Sequence, residues 1–163
     1  AQGEHTKGIA LLIAMLALVL ALSETLGKSA QTAALDANIE ASNLWAFFQA
    51  KTIRQTTLRT AAEQLEALGT SEAAKKQAEA WRKTAERYQT EPETGEGRKE
   101  LAERAKKAEA RRDRSMAAYH HYELASAAVQ IAIVLASASI ITAVPALAWL
   151  AGALGGDKPT HTM

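Results

Sequence analysis

The sequence predicts an all-α membrane protein with two or three transmembrane helices and a long cytoplasmic helical hairpin of coiled-coil character. Three observations predict it. Ionisable residues are segregated: 16 of the 19 basic and 12 of the 18 acidic residues lie between Lys51 and Ser115, whereas Gly8–Leu22 and Leu124–Leu150 contain none. Proline is scarce and alanine abundant, and with Leu, Glu, Lys and Arg this favours helix almost everywhere. No alternating β-branched segment flanked by turn residues occurs, so no strand is expected. The chain has no cysteine, which excludes disulfides, thiolate metal sites and cysteine nucleophiles.

The elements follow in chain order. After an N-terminal tail (1–7), residues 8–27 read as the first transmembrane helix. GIALLIAMLALVLAL is about 22 Å long as a helix, and adding SETLG reaches the ~30 Å of a hydrocarbon core. A secretory signal peptide competes, with Lys7 as its basic flank and Ala21-Leu22-Ser23 as a small-x-small site. A retained anchor is the expectation. Residues 119–144 hold an interfacial motif and the second span, whose polar content is small hydroxyls and Gln130. Small residues recur at Ala128, Ala132 and Ala136 and at Ala10, Ala14, Ala17 and Ala21, stripes of the kind that let helices approach closely in lipid. Gln130 is expected to hydrogen-bond across helices. Pro145 interrupts the pattern, leaving 145–156 as a short apolar third segment, with Trp149 as an interfacial anchor and 157–163 as a disordered tail.

Between the spans, 28–118 form the charged hairpin region. Ser29 to Leu68 reads as one helix, with Ala41, Leu44, Phe48, Leu58, Ala62 and Leu65 at three-four spacing and Lys51 and Gln55 as polar lapses. Gly69-Thr70-Ser71 stops it, and Ser71 caps a second helix carrying Ala74, Ala78, Trp81, Ala85 and Tyr88. EPETGEG (91–97) is a turn, lacking the strand and GK[ST] ending of a phosphate loop. A third seam runs Leu101, Ala105, Ala108, Ser115, Tyr119, Tyr122. Ser29–Leu68 is about 60 Å of helix and Arg98–Ala118 about 30 Å. The first arm therefore rises to a tip at Gly69–Ser71 while the next two helices descend in series; the alternative lays its early part on the membrane surface. Basic residues beside the spans place the middle region in the cytoplasm and both termini outside.

LWAFF (44–48) is an aromatic excess for a two-helix hairpin. Trp45 and Phe47 fall off the seam holding Leu44 and Phe48, so this segment is expected to face a partner or a second copy. Trp81 and Tyr88 are expected between the cytoplasmic helices.

YHHYE (119–123) is the densest ionisable and aromatic cluster. Adjacent His120 and His121 point about 100° apart on a helix and cannot chelate one ion from one chain. Symmetry between chains could make a haem or metal site from them. The favoured reading is a membrane-interface belt of Tyr119, Tyr122, Glu123, Glu24 and Lys28. RAKKAEARRDR (104–114) is basic, but a net charge of +1 argues for lipid headgroups over nucleic acid.

GKSAQTAAL (27–35), EASNLWAFFQAKTIRQT (40–56), EPETGEGRKEL (91–101) and YHHYELASAAVQIAIVLASASIIT (119–142) resemble a bacterial membrane-protein family known only as domain of unknown function 4337. The resemblance covers nearly the whole chain and implies a helical protein of the bacterial inner membrane. It brings no reaction, cofactor or catalytic residue. It also implies a fuller third hydrophobic helix than the segment that stops at Gly156.

No catalytic motif appears, and the residues point to a non-enzymatic protein acting by assembly, as an oligomeric scaffold or accessory subunit of a larger membrane complex. A cofactor-binding subunit using His120 and His121, and a small pore using Gln130, are the alternatives.

Overall fold

The computed structural model describes residues 2–155, with side chains as far as Thr142. Three helices make up nearly all of it: α1 (Gln2–Leu68), α2 (Glu72–Gln89) and α3 (Arg98–Gly155). Two of them, α1 and α3, are long and apolar enough to cross a membrane. The side chain of Trp149 and the tail at 157–163 lie outside the described residues.

The helix ends follow local chemistry. Gly69 N–H donates to the Leu65 carbonyl at 2.7 Å, closing the last turn of α1. Ser71 is extended, and its Oγ accepts from the Ala74 N–H at 3.1 Å, so it caps α2 as its position suggests. In the connection after α2, Gly95 has φ +68°, a left-handed geometry suited to glycine. Gly97 is required for space: a Cβ there would lie 2.4 Å from Glu91 N.

Two boundaries differ from expectation: residues 2–7, expected as a tail, already belong to α1, and the second lies at Pro145. The helix does not end at Pro145; α3 continues to Gly155, and 145–155 form no separate third helix. Proline removes one N–H and one intrahelical bond, which a long helix can lose while its neighbouring bonds hold.

The chain divides into two compact units. The first combines α1 up to Ser29 with α3 from Ala118 onward; the second is Ala30–Ala117. In the second unit, buried and half-buried positions on α1 alternate by four and three: Ala34, Ala37, Ala41, Leu44, Phe48, Lys51, Gln55, Leu58, Ala62, Leu65. Leu101, Ala105 and Ala108 of α3 meet Ala41 and Leu44, with Trp45 and Phe48 packed against them. The pairs run antiparallel: Asn38 to Arg112, Glu40 to Arg111, Trp45 to Glu109, Thr52 to Arg98, and Glu66 to Arg82 on α2. So α2 and the start of α3 lie in series along α1, the order that helix lengths suggest. A four-three spacing and alanine at about half of the seam positions make this a closely approached coiled-coil-like contact.

The first unit uses the same spacing. Ile9, Ile13, Leu16, Leu20 and Ser23 are half-buried and Gly27 is buried on α1; Tyr119 and Tyr122 are half-buried and Ser126 buried on α3. A Cβ on Gly27 would lie 3.4 Å from the Tyr122 Cβ. The expected stripe Ala10, Ala14, Ala17, Ala21 is exposed, as is Ala128, while Ala132 and Ala136 are half-buried. The α1 alanines sit one residue, about 100°, from the packed face. A helix has one such face here, and the small residues that permit close approach are Ser23, Gly27 and Ser126.

Candidate functional site

The second unit buries two polar side chains where α2 ends and α3 begins. The two lapses in the α1 seam, Lys51 and Gln55, are 7% and 2% exposed. Gln55 Nε2 donates to the Ala85 carbonyl at 2.9 Å and to Gln89 Oε1 at 3.3 Å. Arg98, the first residue of α3, donates from Nε to Thr52 Oγ1 and from Nη1 to Gln55 Oε1 and Gln89 Oε1, each at 2.8 Å. Its guanidinium lies 4.9 Å from the Phe48 ring centre. Lys51 Nζ lies 4.6 Å from the Tyr88 ring centre, 5.5 Å from that of Phe47 and 3.9 Å from Glu91 Oε2. Glu100 closes the turn by accepting from Glu91 N–H at 3.2 Å.

The buried Lys51 and the half-buried Arg98 are thus each held against aromatic faces and acceptors, which offsets their desolvation. Among the described residues no buried side-chain polar atom lacks a partner. The arrangement leaves no free base or nucleophile beside an open cavity. What it can do is favour this register, because Gln55 bonds at once to Ala85 and Gln89 of α2 and to Arg98 of α3.

The predicted interface residues separate. Leu44 is 7% exposed and lies in the core; Phe48 packs on that core and meets Trp45 edge-on at 5.4 Å. Trp45 Nε1 donates to Glu109 Oε1 at 2.9 Å. Three of the four aromatic-segment residues are therefore accounted for within the chain, contrary to the expectation of an uncovered aromatic excess. The cause is α3, whose alanines allow the indole to lie across the seam. Phe47 alone remains exposed, at 36%. Trp81 and Tyr88 are half-buried on the α2 seam.

Two open grooves flank the seam near its early end. One, of about 570 Å³, is lined by Leu35, Asn38, Arg112 and Met116; the other, about 410 Å³, by Asp36, Glu40, Arg111 and Arg114.

In the first unit two polar pairs form among the residues of the expected interface belt and Gln130. Gln130 Nε2 donates to Glu24 Oε1 across the helices at a long 3.4 Å, and His120 Nδ1 lies 3.5 Å from Glu123 Oε2. Lys28 and His121 are exposed and join neither pair. Tyr119 and Tyr122 turn into the seam and leave the exterior to the histidines. Among the described residues no group of three His, Asp or Glu is placed to hold a metal.

Sequence reasoning missed the burial of Lys51 and Gln55 and the half-buried Arg98 that joins them. The signal was present: a lysine and a glutamine at consecutive seam positions, followed by a basic residue at the start of α3.

A family model described as a domain of unknown function, DUF4337, matches residues 5–156, and the chain belongs to that family. Neither a curated protein nor a solved structure is significantly similar to the chain.

Proposed function

We propose that this DUF4337 protein is an integral protein of the bacterial inner membrane that acts by assembly, without an enzymatic step, as an oligomeric scaffold or accessory subunit of a larger membrane complex. In this reading α1 and α3 each cross the bilayer, and the second unit forms a helical hairpin on the cytoplasmic side.

One observation carries it. The apolar runs of the first unit leave large side chains uncovered: Leu11, Leu18, Leu22, Leu124, Val134 and Leu135 are between 56% and 70% exposed. No residue of the most apolar stretch of α1, and only 6% of that of α3, is fully buried. Water would penalise such a surface heavily, whereas lipid would not. The second unit has a charged exterior and an interior saturated by its own contacts, which suits a projecting spacer or platform.

Native mass spectrometry of the full chain in mild detergent tests the assembly reading. A multimer or a stoichiometric co-purifying partner is the expected result. A strict monomer with no companion would overturn it.

A further inference from the structure

The second unit has a second heptad face. Two residues on from each α1 seam position, about 200° round the helix, stand Ile39, Asn43, Ala46, Ala50, Ile53 and Thr57. All six are exposed, Ile39 at 51% and Ile53 at 66%. Their spacing is four-three-four-three-four, the same as the internal seam. From Ala41 to Ile53 the only charged residue is Lys51, and it is buried.

The corresponding outward stripes of the other helices differ sharply. On α2 the stripe is Lys76, Ala80, Lys83, Arg87, and on α3 it is Glu103, Lys107, Ala110, Arg114. Setting either against the uncharged α1 face would strip water from charges with nothing to pair them. Setting α2 or α3 against its own copy would oppose like charges at nearly every layer. The uncharged α1 face fits only a surface like itself.

From this contrast we infer that the outer face of α1 between Ile39 and Thr57 is a self-association surface, occupied by the same face of a second copy in parallel register. The orientation rests on the membrane reading proposed above: two copies sharing one bilayer and one topology send α1 out of it in the same direction. Parallel pairing stacks Ile39, Ala46 and Ile53 on their counterparts. It also sets Asn43 opposite Asn43, where the two amides satisfy each other and fix register, the recognised use of a lone Asn in a coiled-coil core. Across the flanks, Glu40 meets Leu35, Phe47 meets Ser42 and Arg54 meets Gln49, so no like charges face each other. Phe47, the one exposed Trp, Tyr or Phe among the described side chains, gains cover there. The stripe is about 27 Å long, too short to hold firmly in free solution, and confinement to a membrane supplies the effective concentration it needs.

Because the chain has no cysteine, single cysteines report directly. In membranes, Ala50→Cys is expected to give a disulfide-linked dimer on oxidation, since facing core positions come within disulfide range; Lys83→Cys is expected to give none. Ala46→Glu/Ala50→Glu, at exposed helical sites, should keep the wild-type circular dichroism and lose the oligomer. Cross-linking of Ala50→Cys only when mixed with Ala46→Cys would show antiparallel pairing and overturn the inference. So would an oligomer that survives the double glutamate variant, although assembly itself would then stand. A monomeric wild type would remove both.

Discussion

The two units share one packing rule and differ in everything outside it. Both place small residues on a four-three seam, Ser23, Gly27 and Ser126 in one and Ala34, Ala37, Ala41, Ala105 and Ala108 in the other. Around the first the exterior is Leu, Val and Ile; around the second it is charged on α2 and α3. Even the large apolar residues exposed to the same degree have different neighbours. Leu135 at 65% stands among apolar side chains, and Ile53 at 66% stands between Thr52 and Arg54. The lesson is that the seam period defines how two helices meet, while the outward residues define the solvent they meet in.

The matched pair gives the largest expected effect. Leu135→Lys puts an ammonium near the centre of the second apolar run and should raise the cost of insertion by about 2.5–3.5 kcal/mol, read as a fall in membrane-inserted protein. Ile53→Lys should leave insertion unchanged. Equal insertion of the two variants would erase the distinction between the exteriors.

Next comes the interior of the second unit. Arg98→Ala withdraws the donors from Thr52, Gln89 and the buried Gln55 Oε1, and should cost about 1–3 kcal/mol in a thermal or denaturant melt of that unit. Lys51→Met should cost less, because its carboxylate partner Glu91, with a side chain 22% exposed, can recover water. If Arg98→Ala melts like wild type, the polar junction does not hold the helices in register.

The smallest effect lies on the exterior of the same unit. The hydrogen bond from Arg82 holds the Glu66 carboxyl below the usual carboxylate range. An unfolded chain binds that proton more readily, so the contribution is complete above the ordinary carboxylate pKa and is lost as pH falls through the lowered one. Both side chains are well exposed, so the effect is a shallow acid slope. Arg82→Gln should flatten it, as measured by stability against pH.

Local features were legible in the sequence because their causes are local. The stop at Gly69, the Ser71 cap, the turn at 91–97 and the start of α3 at Arg98 rest on groups within a few residues of each other. The seams of α2 and early α3 were legible for the same reason, being a matter of period. The packed face of the first apolar run was not: Ala10, Ala14, Ala17 and Ala21 and the true face, Ile9, Ile13, Leu16 and Leu20, have the same spacing. Composition alone does not distinguish two apolar faces one residue apart.

What the sequence by itself determined, then, is helical class, the helix ends from Gly69 to Arg98, the heptad period and the segregation of charge. Tertiary structure alone decided that Lys51 and Gln55 are interior residues, that Trp45 is covered, and that Phe47 and the α1 face from Ile39 to Thr57 are left over. The reason is distance along the chain. Trp45 finds its acceptor 64 residues away at Glu109, and Gln55 is satisfied from 30 to 43 residues away by Ala85, Gln89 and Arg98. A polar or aromatic side chain becomes interior only when a partner comes to meet it, and no window of local sequence contains that partner.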